Sequence, residues 1–155
     1  MIDELLRELE RNGVGYELLS HQQTMTAGEE ATALGVPPEQ VAKTLLLTTG
    51  SGGYVRAVLP ASERLALGKV RELLGDEKAI RLATEEELAG AYPMFELGAV
   101  PPFGGPTGDR AIIDNRLTEL DSIVIEAGSH RESVRITVQD LLSLTGADLA
   151  NICED

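Results

Sequence analysis

Two stretches carry the residue types best suited to chemistry. The first is Val41-Ala-Lys-Thr-Leu-Leu-Leu47, which sets a lysine at the mouth of the most apolar run in the central chain. Written as a strand, it puts Lys43, Leu45 and Leu47 on one face and Ala42, Thr44, Leu46 and Thr48 on the other. A cation heading an apolar face is costly to bury unless an anion visits it or its stem carries the ammonium back to water. Both readings of Lys43 stand at this point: a surface lysine whose stem snorkels, or a receptor for an anionic group. The second stretch is Gly98-Ala-Val-Pro-Pro-Phe-Gly104. Pro101 and Pro102 remove two backbone donors and restrict φ twice, while Gly98, Gly104 and Gly105 permit positive φ and close approach. Such a loop can turn the N–H groups of Ala99 and Val100 toward an oxygen on which negative charge develops. A stiff structural turn has the same composition.

The familiar catalytic constellations are missing. There is no Gly-rich phosphate loop, nucleophile elbow, His-x-x-x-His pair or carboxylate cluster at metal-ligand spacing. His21 and His130 each follow a serine and lie far apart in sequence. Because triads assemble in space, spacing alone does not dispose of a Ser/His arrangement. Asp114 closes an apolar strand, either as a cap on the Asn115-Arg116 turn or as a functional acid. Cys153 is the only cysteine, which excludes an intramolecular disulfide and a cysteine-based zinc site.

The elements that must position these groups follow from periodicity and breakers. Residues 3–12 read as an amphipathic helix ending at Asn12-Gly13, and Val14 to Leu19 as a short strand. Thr26-x-x-Glu29 is a capping box opening a helix through Leu34, with Gly35 at its end. Pro37-Pro38 leads into the Lys43 strand, and Gly50-Ser-Gly-Gly53 joins Leu45–Thr49 to Tyr54–Leu59 as a hairpin. A helix over Leu67–Leu74, a strand over Ala79–Leu82 and a second capping box at Thr84-x-x-Glu87 come next. Five glycines and four prolines between Gly90 and Gly108 mark an ordered, shaped loop. Ala111–Asp114 and Ser122–Ala127 read as strands, the latter with Ile123, Ile125 and Ala127 on one face. Val134–Ile136 is expected to be the last strand, and Thr137 caps a closing helix near Leu141–Leu144. Helices and strands interleave irregularly, with hairpins and no repeated βαβ cadence, which predicts an α+β domain with a mixed sheet.

At 155 residues the chain is expected to be a single domain spanning 1–155, and its 43% apolar content supports a core that 3% aromatics make aliphatic. The start is charged rather than a signal peptide and no run approaches membrane-spanning length, so the expected location is cytoplasmic. A formal net charge of −13 argues against gripping long stretches of nucleic acid. Arg64, Lys69, Arg71, Lys78 and Arg81 nevertheless cluster within residues 64–81. They form either a phosphate-facing patch or a solvated face.

Taken in order, the motifs form a series. His21 with Thr24 and Thr26, Ala-x-x-Leu-Gly-Val at 31–36, Val-Ala-Lys-Thr-Leu at 41–45, Val-Leu-Pro-Ala at 58–61, Gly98-x-x-x-Pro102-Phe-Gly and Gly128-Ser-His130 follow one another. The series resembles the YbaK/prolyl-tRNA-synthetase-associated editing-domain family of free-standing aminoacyl-tRNA deacylases, over residues 14–150. The resemblance implies an α+β domain whose mixed, partly barrel-like β-sheet is flanked by helices. It implies trans-editing hydrolysis of mischarged aminoacyl-tRNA at the 3′-terminal adenosine, without metal, cofactor or covalent intermediate, and with the substrate's own ribose hydroxyl assisting. Lys43 then matches the family's essential lysine, which contacts the terminal nucleotide. Gly98, Ala99, Val100, Pro101 and Pro102 match its Gly-x-x-x-Pro loop, and Gly128, Ser129 and His130 the border of the amino-acid pocket. His21, Thr26 and Leu45 are expected to line that pocket. The expected substrate is a small amino acid such as Ala, Cys or Ser on tRNA(Pro) or a related tRNA. The expected partners are the tRNA acceptor end, with help from a synthetase or elongation factor.

This chain departs from the family pattern at Ala99 and Pro101, where a second glycine and a serine are common. Gly105-Pro-Thr-Gly108 follows the loop where cysteine-directed members often carry basic residues. Two other classes stay open on the residues alone: a non-catalytic binder of tRNA ends or aminoacyl-adenosine, and a metal-independent esterase for small acyl groups.

Overall fold

Leu5 and Leu9 lie one helical turn apart among charged neighbours, and both reach the core from helix α1 (Ile2–Arg11). The computed structural model describes residues 2–49, 53–75, 80–104 and 109–155. Strand β1 (Glu17–Ser20) begins three residues later than Val14 because Val14 and Tyr16 pack on the core from the turn that leaves α1. Helix α2 (Ala27–Leu34) starts where predicted, with Thr26 accepting from Glu29 N and Gly35 closing it at φ +68°. A 3₁₀ turn over Pro38–Gln40 delivers the chain to β2 (Val41–Thr48), which pairs antiparallel with β3 (Tyr54–Pro60) from Ala42/Pro60 to Thr48/Tyr54. The tip of that hairpin, 50–52, lies outside the described residues.

Helix α3 (Leu67–Leu74) has the predicted bounds and ends at Gly75. Strand β4 covers only Arg81–Leu82, and Ala79 lies outside the described residues. Thr84 and Glu87 complete a reciprocal capping box on α4 (Glu85–Ala91). After the irregular stretch from Tyr92 come β5 (Arg110–Asp114), a 3₁₀ turn, β6 (Ser122–Ser129), β7 (Glu132–Thr137) and α5 (Val138–Thr145). The predicted last strand is not the last. A further strand, β8 (Asp148–Ala150), pairs parallel with β5. Three residues long, it carries no alternation from which a strand could be read.

These strands make one mixed sheet in the order β1-β7-β6-β2-β3-β5-β8, with β4 on β2. The main core draws Ala42, Val58, Ile113, Ile123, Ile125, Ala127, Val134 and Ile136 from five strands, under α1 and α5. Ile123, Ile125 and Ala127 share the inner face as their alternation requires. The opposite face of β2 and β6 is covered by α2, through Ala27, Ala31, Val41 and Val124. Asp114 proves structural: fully buried, it accepts from Arg116 N and Ile152 N at 2.9 Å each, tying the turn and the C-terminal segment to β5. Burial raises its pKa, but these bonds outweigh burial and hold it below the ordinary value. No helix among the described residues is long and apolar enough to cross a membrane.

Candidate functional site

The site is an opening in the sheet beside β2. β6 pairs with β2 only at Val41/Val124 and Ala42/Ile125, and then diverges. β4 takes up the same edge only at Leu47 and Thr48, with Ala83 N donating to Leu46 O just before it. The edge from Lys43 to Leu45 is left uncovered between them, and a cleft of about 360 Å³ occupies the gap. Lys43, Thr44, Leu45 and Leu46 form its floor, Thr26 and Met25 one wall, and Gly98, Val100 and Glu126 another. Two buried side-chain oxygens bordering it, Thr44 Oγ1 and Glu126 Oε2, have no hydrogen-bond partner among the described residues. Buried polar groups are seldom left so, because each forfeits its bonds to water.

Lys43 is half-buried and donates from Nζ to Glu63 O at 2.6 Å. Burial lowers its pKa, reinforced by Arg64 and opposed by Cys153, Glu63 and Glu126. A single carbonyl partner leaves the ammonium with donors to spare. The cations of residues 64–81 do not gather into one patch among the described residues. Lys69 binds Cys153 O and Asp155, Arg71 binds Ile80 O, and Arg81 pairs with Glu87. Lys78 lies outside the described residues, and exposed Arg64 remains beside Lys43.

The Gly98–Gly104 loop is held from behind by a residue the sequence reading missed. Arg56 on β3 is 1% exposed and donates to Pro101 O at 3.1 Å and Gly104 O at 2.7 Å, with its guanidinium 5.1 Å from the Tyr92 ring centre. Burial lowers its pKa, while Tyr92 and Asp109 oppose that. Pro101 and Pro102 are themselves buried and border neither the cleft nor the recess described below. Ala99 also differs from expectation as a donor, because its N–H closes a turn on Glu96 O at 3.0 Å. Val100 N–H has no partner among the described residues, so of the two expected donors it is the one left available.

Gly128 belongs to the same support. Its N–H donates to Ala99 O and its carbonyl accepts from Glu96 N, both at 2.9 Å, at φ +90°. A Cβ there would come within 2.6 Å of Phe95 Cδ1. Gly128→Ala should therefore cost about 2–4 kcal/mol from clash and backbone strain, and displace the loop. A thermal melt alongside activity tests this, and an unchanged midpoint would show that Phe95 yields freely.

A recess of about 10 Å³ adjoins the cleft, sharing Thr26 and Glu126 with it, and is otherwise bordered by His21, Thr24, Glu30, Ala99, Ser129 and His130. His130 lies over Gly98, and its Nε2 donates to Leu97 O at 2.5 Å. His21 Nδ1 donates to Gln22 O at 2.7 Å, and Nε2 lies 2.9 Å from Ser133 Oγ, which bonds to Glu30. Ser133 is fully buried and its hydroxyl is engaged on both sides, so this Ser/His pair is not a nucleophile. Among the described residues no group of His, Cys, Asp or Glu is placed to hold a metal ion. The structure thus brings together Lys43, Leu45, Gly98, Val100, Thr26, His21, Ala99, Ser129 and His130 around two adjoining spaces, and sets Pro101, Pro102 and Gly128 behind them.

Comparison with known proteins places this arrangement. A sequence model of the aminoacyl-tRNA editing domain matches residues 21–144. EbsC of Enterococcus faecalis, provisionally described as a Cys-tRNA(Pro)/Cys-tRNA(Cys) deacylase, is 24% identical over 137 residues, covering 88% of this chain and 82% of that protein. The proline–tRNA ligase of Thermotoga neapolitana is 32% identical over 100 residues, which span 64% of this chain but 16% of the ligase. A crystal structure provisionally described as a trans-editing enzyme for prolyl-tRNA synthetase superposes with a TM-score of 0.89 at 31% identity, covering 99% of this chain and 97% of that one. The chain belongs to the aminoacyl-tRNA editing domain family.

Proposed function

We propose that this protein hydrolyses the ester joining a small amino acid to the 3′-terminal adenosine of a mischarged tRNA, acting in trans as a single domain over residues 1–155. The observation that carries the reading is the uncovered edge of β2. It brings Lys43, Val100 and the buried Thr44 and Glu126 oxygens, which have no hydrogen-bond partner among the described residues, to one cleft, in a chain of this family. Lys43, with Arg64 beside it, binds the terminal phosphate or ribose, and exposed Met25 and Leu82 at the mouth offer apolar surface to the adenine. Water adds to the ester carbonyl, Val100 N–H stabilises the oxyanion, and the ester C–O bond breaks to return a ribose hydroxyl and a free amino acid. One well-aimed donor contributes about 3–4 kcal/mol to such a step. Lys43 supplies orientation, not proton transfer.

Only the acceptor end needs to enter, which reconciles the reading with a net charge of −13. Binding through few phosphates should be weak and fall steeply with salt, so that a synthetase or elongation factor would assist delivery. The test is a panel of Ala-, Cys-, Ser- and Thr-tRNA plus a small ester, with and without chelator. Turnover of a charged tRNA unaffected by chelator is expected. Binding without turnover, or turnover of the small ester alone, would overturn the reading.

A further inference from the structure

We propose that Glu126 receives the α-ammonium of the aminoacyl group, and that the recess beside it is the ammonium subsite. The inference rests on the deacylase reading and names which part of the substrate this corner of the site takes.

The recess holds about 10 Å³, close to a single water-sized sphere, and so admits a small polar group but not an amino-acid side chain. Glu126 borders both this recess and the wide cleft. It is 8% exposed, and its buried Oε2 has no hydrogen-bond partner among the described residues. Lys43 borders the same cleft as Glu126 and lies close enough for the two charges to act on one another, yet Lys43 Nζ donates to Glu63 O. His130 Nε2 is committed to Leu97 O, and both His21 nitrogens are engaged. None of these cations bonds to Glu126 Oε2 among the described residues, so a donor brought by the substrate would be its first partner.

The chemistry of the surroundings selects that donor. Glu30 on α2 and Glu126 face the same space, and Glu30 is already satisfied by Ser133. An anionic group would meet two carboxyls, and an apolar one would leave Oε2 unpaired. A primary ammonium supplies both the hydrogen bonds and the charge. Burial pushes the Glu126 pKa well above the ordinary carboxylate value, with Glu30 adding to the rise and Lys43 opposing it. Burial likewise raises Glu30, against Ser133, His21 and His130. A cation in the recess favours the ionised form of both acids, so binding should release protons. The placement also orients the ester. With the ammonium at Glu126 and the nucleotide at Lys43, the carbonyl between them lies toward Val100.

The test compares two non-hydrolysable ligands by calorimetry, 3′-alanylamido-adenosine and its des-amino counterpart 3′-propionylamido-adenosine, alongside turnover of Ala-tRNA. The wild type should bind the amine at least about tenfold more tightly, the scale of one charge-assisted bond. Glu126→Gln should erase that preference by weakening only the amine ligand, and should not lower the melting midpoint, since it removes a buried acid at constant volume. Three results would overturn the subsite: equal wild-type binding of the two ligands, no binding of either, or a Glu126→Gln loss shared equally by both. The wild-type ratio decides even if the variant does not fold. Ala-tRNA turnover without amine preference removes this inference and leaves the deacylase reading. Amine preference without turnover does the reverse.

Discussion

Lys43→Ala is expected to lower kcat/KM for mischarged tRNA by about 10²–10³-fold while moving folding stability by no more than about 1 kcal/mol. The two halves have separate causes. In the folded protein Lys43 makes one hydrogen bond, to Glu63 O, and burial works against its charged form. Losing that bond and regaining the desolvation cost nearly cancel. On the proposed reading the same ammonium holds the end of a long, flexible, anionic substrate, and without it the ester would sample many poses in the cleft. Lys43→Met, which keeps the stem and drops the charge, should lose as much activity with even less effect on the melt. Because burial lowers the lysine pKa, the alkaline limb of the activity profile should fall at a pH below the ordinary lysine range, as the cation loses its proton. Near-normal turnover by Lys43→Ala would remove the clamp from the mechanism.

Arg56→Ala should be the most damaging substitution to the fold, costing about 3–5 kcal/mol and lowering the melting midpoint by roughly 10 °C. It empties a fully buried volume against Tyr92 and strips Pro101 O and Gly104 O of their donors. Arg56→Lys should rescue little, because a single ammonium cannot reproduce a fork that reaches two carbonyls. Arg56→Met is the informative variant. It refills the volume without a charge, so most of the stability should return, while the loop carrying Val100 is no longer anchored. At least about tenfold lower kcat, with a smaller change in KM, marks a positioning residue. Wild-type kcat in Arg56→Met would show that Phe95, Gly128 and the two prolines hold the loop unaided.

Wherever the physics is local, the residues announced the structure. Thr26 and Thr84 open helices, and Gly35 and Gly75 close them, since the capping bond and the positive φ are settled within one turn. The β2–β3 hairpin, the inner face of Ile123, Ile125 and Ala127, and the cap role open to Asp114 are legible for the same reason. The motif order from His21 to His130 was enough to name a family that the comparisons support.

What the sequence could not decide depends on which distant segment arrives where. β8 has too few residues to announce itself and exists because β5 offers it an edge. Ala99 and Val100 look alike as donors until the turn from Glu96 spends one N–H and leaves the other. Arg56 alternates along a strand like any surface cation, but its side of the sheet is roofed by the Gly/Pro loop, so its charge is spent inside on carbonyls forty-five and forty-eight residues away. Glu126 alternates with Ile125 and Ala127 as a solvent-facing acid would, until α2 covers that face and buries it. Sequence alone determined that Lys43 heads an apolar strand and that a stiff Gly/Pro loop follows later in the chain, in a family that edits tRNA. Tertiary structure alone decided that β6 leaves β2 at Ala42 and β4 does not arrive before Leu47, so that a strand edge lies bare over that interval and a cleft opens beside the lysine.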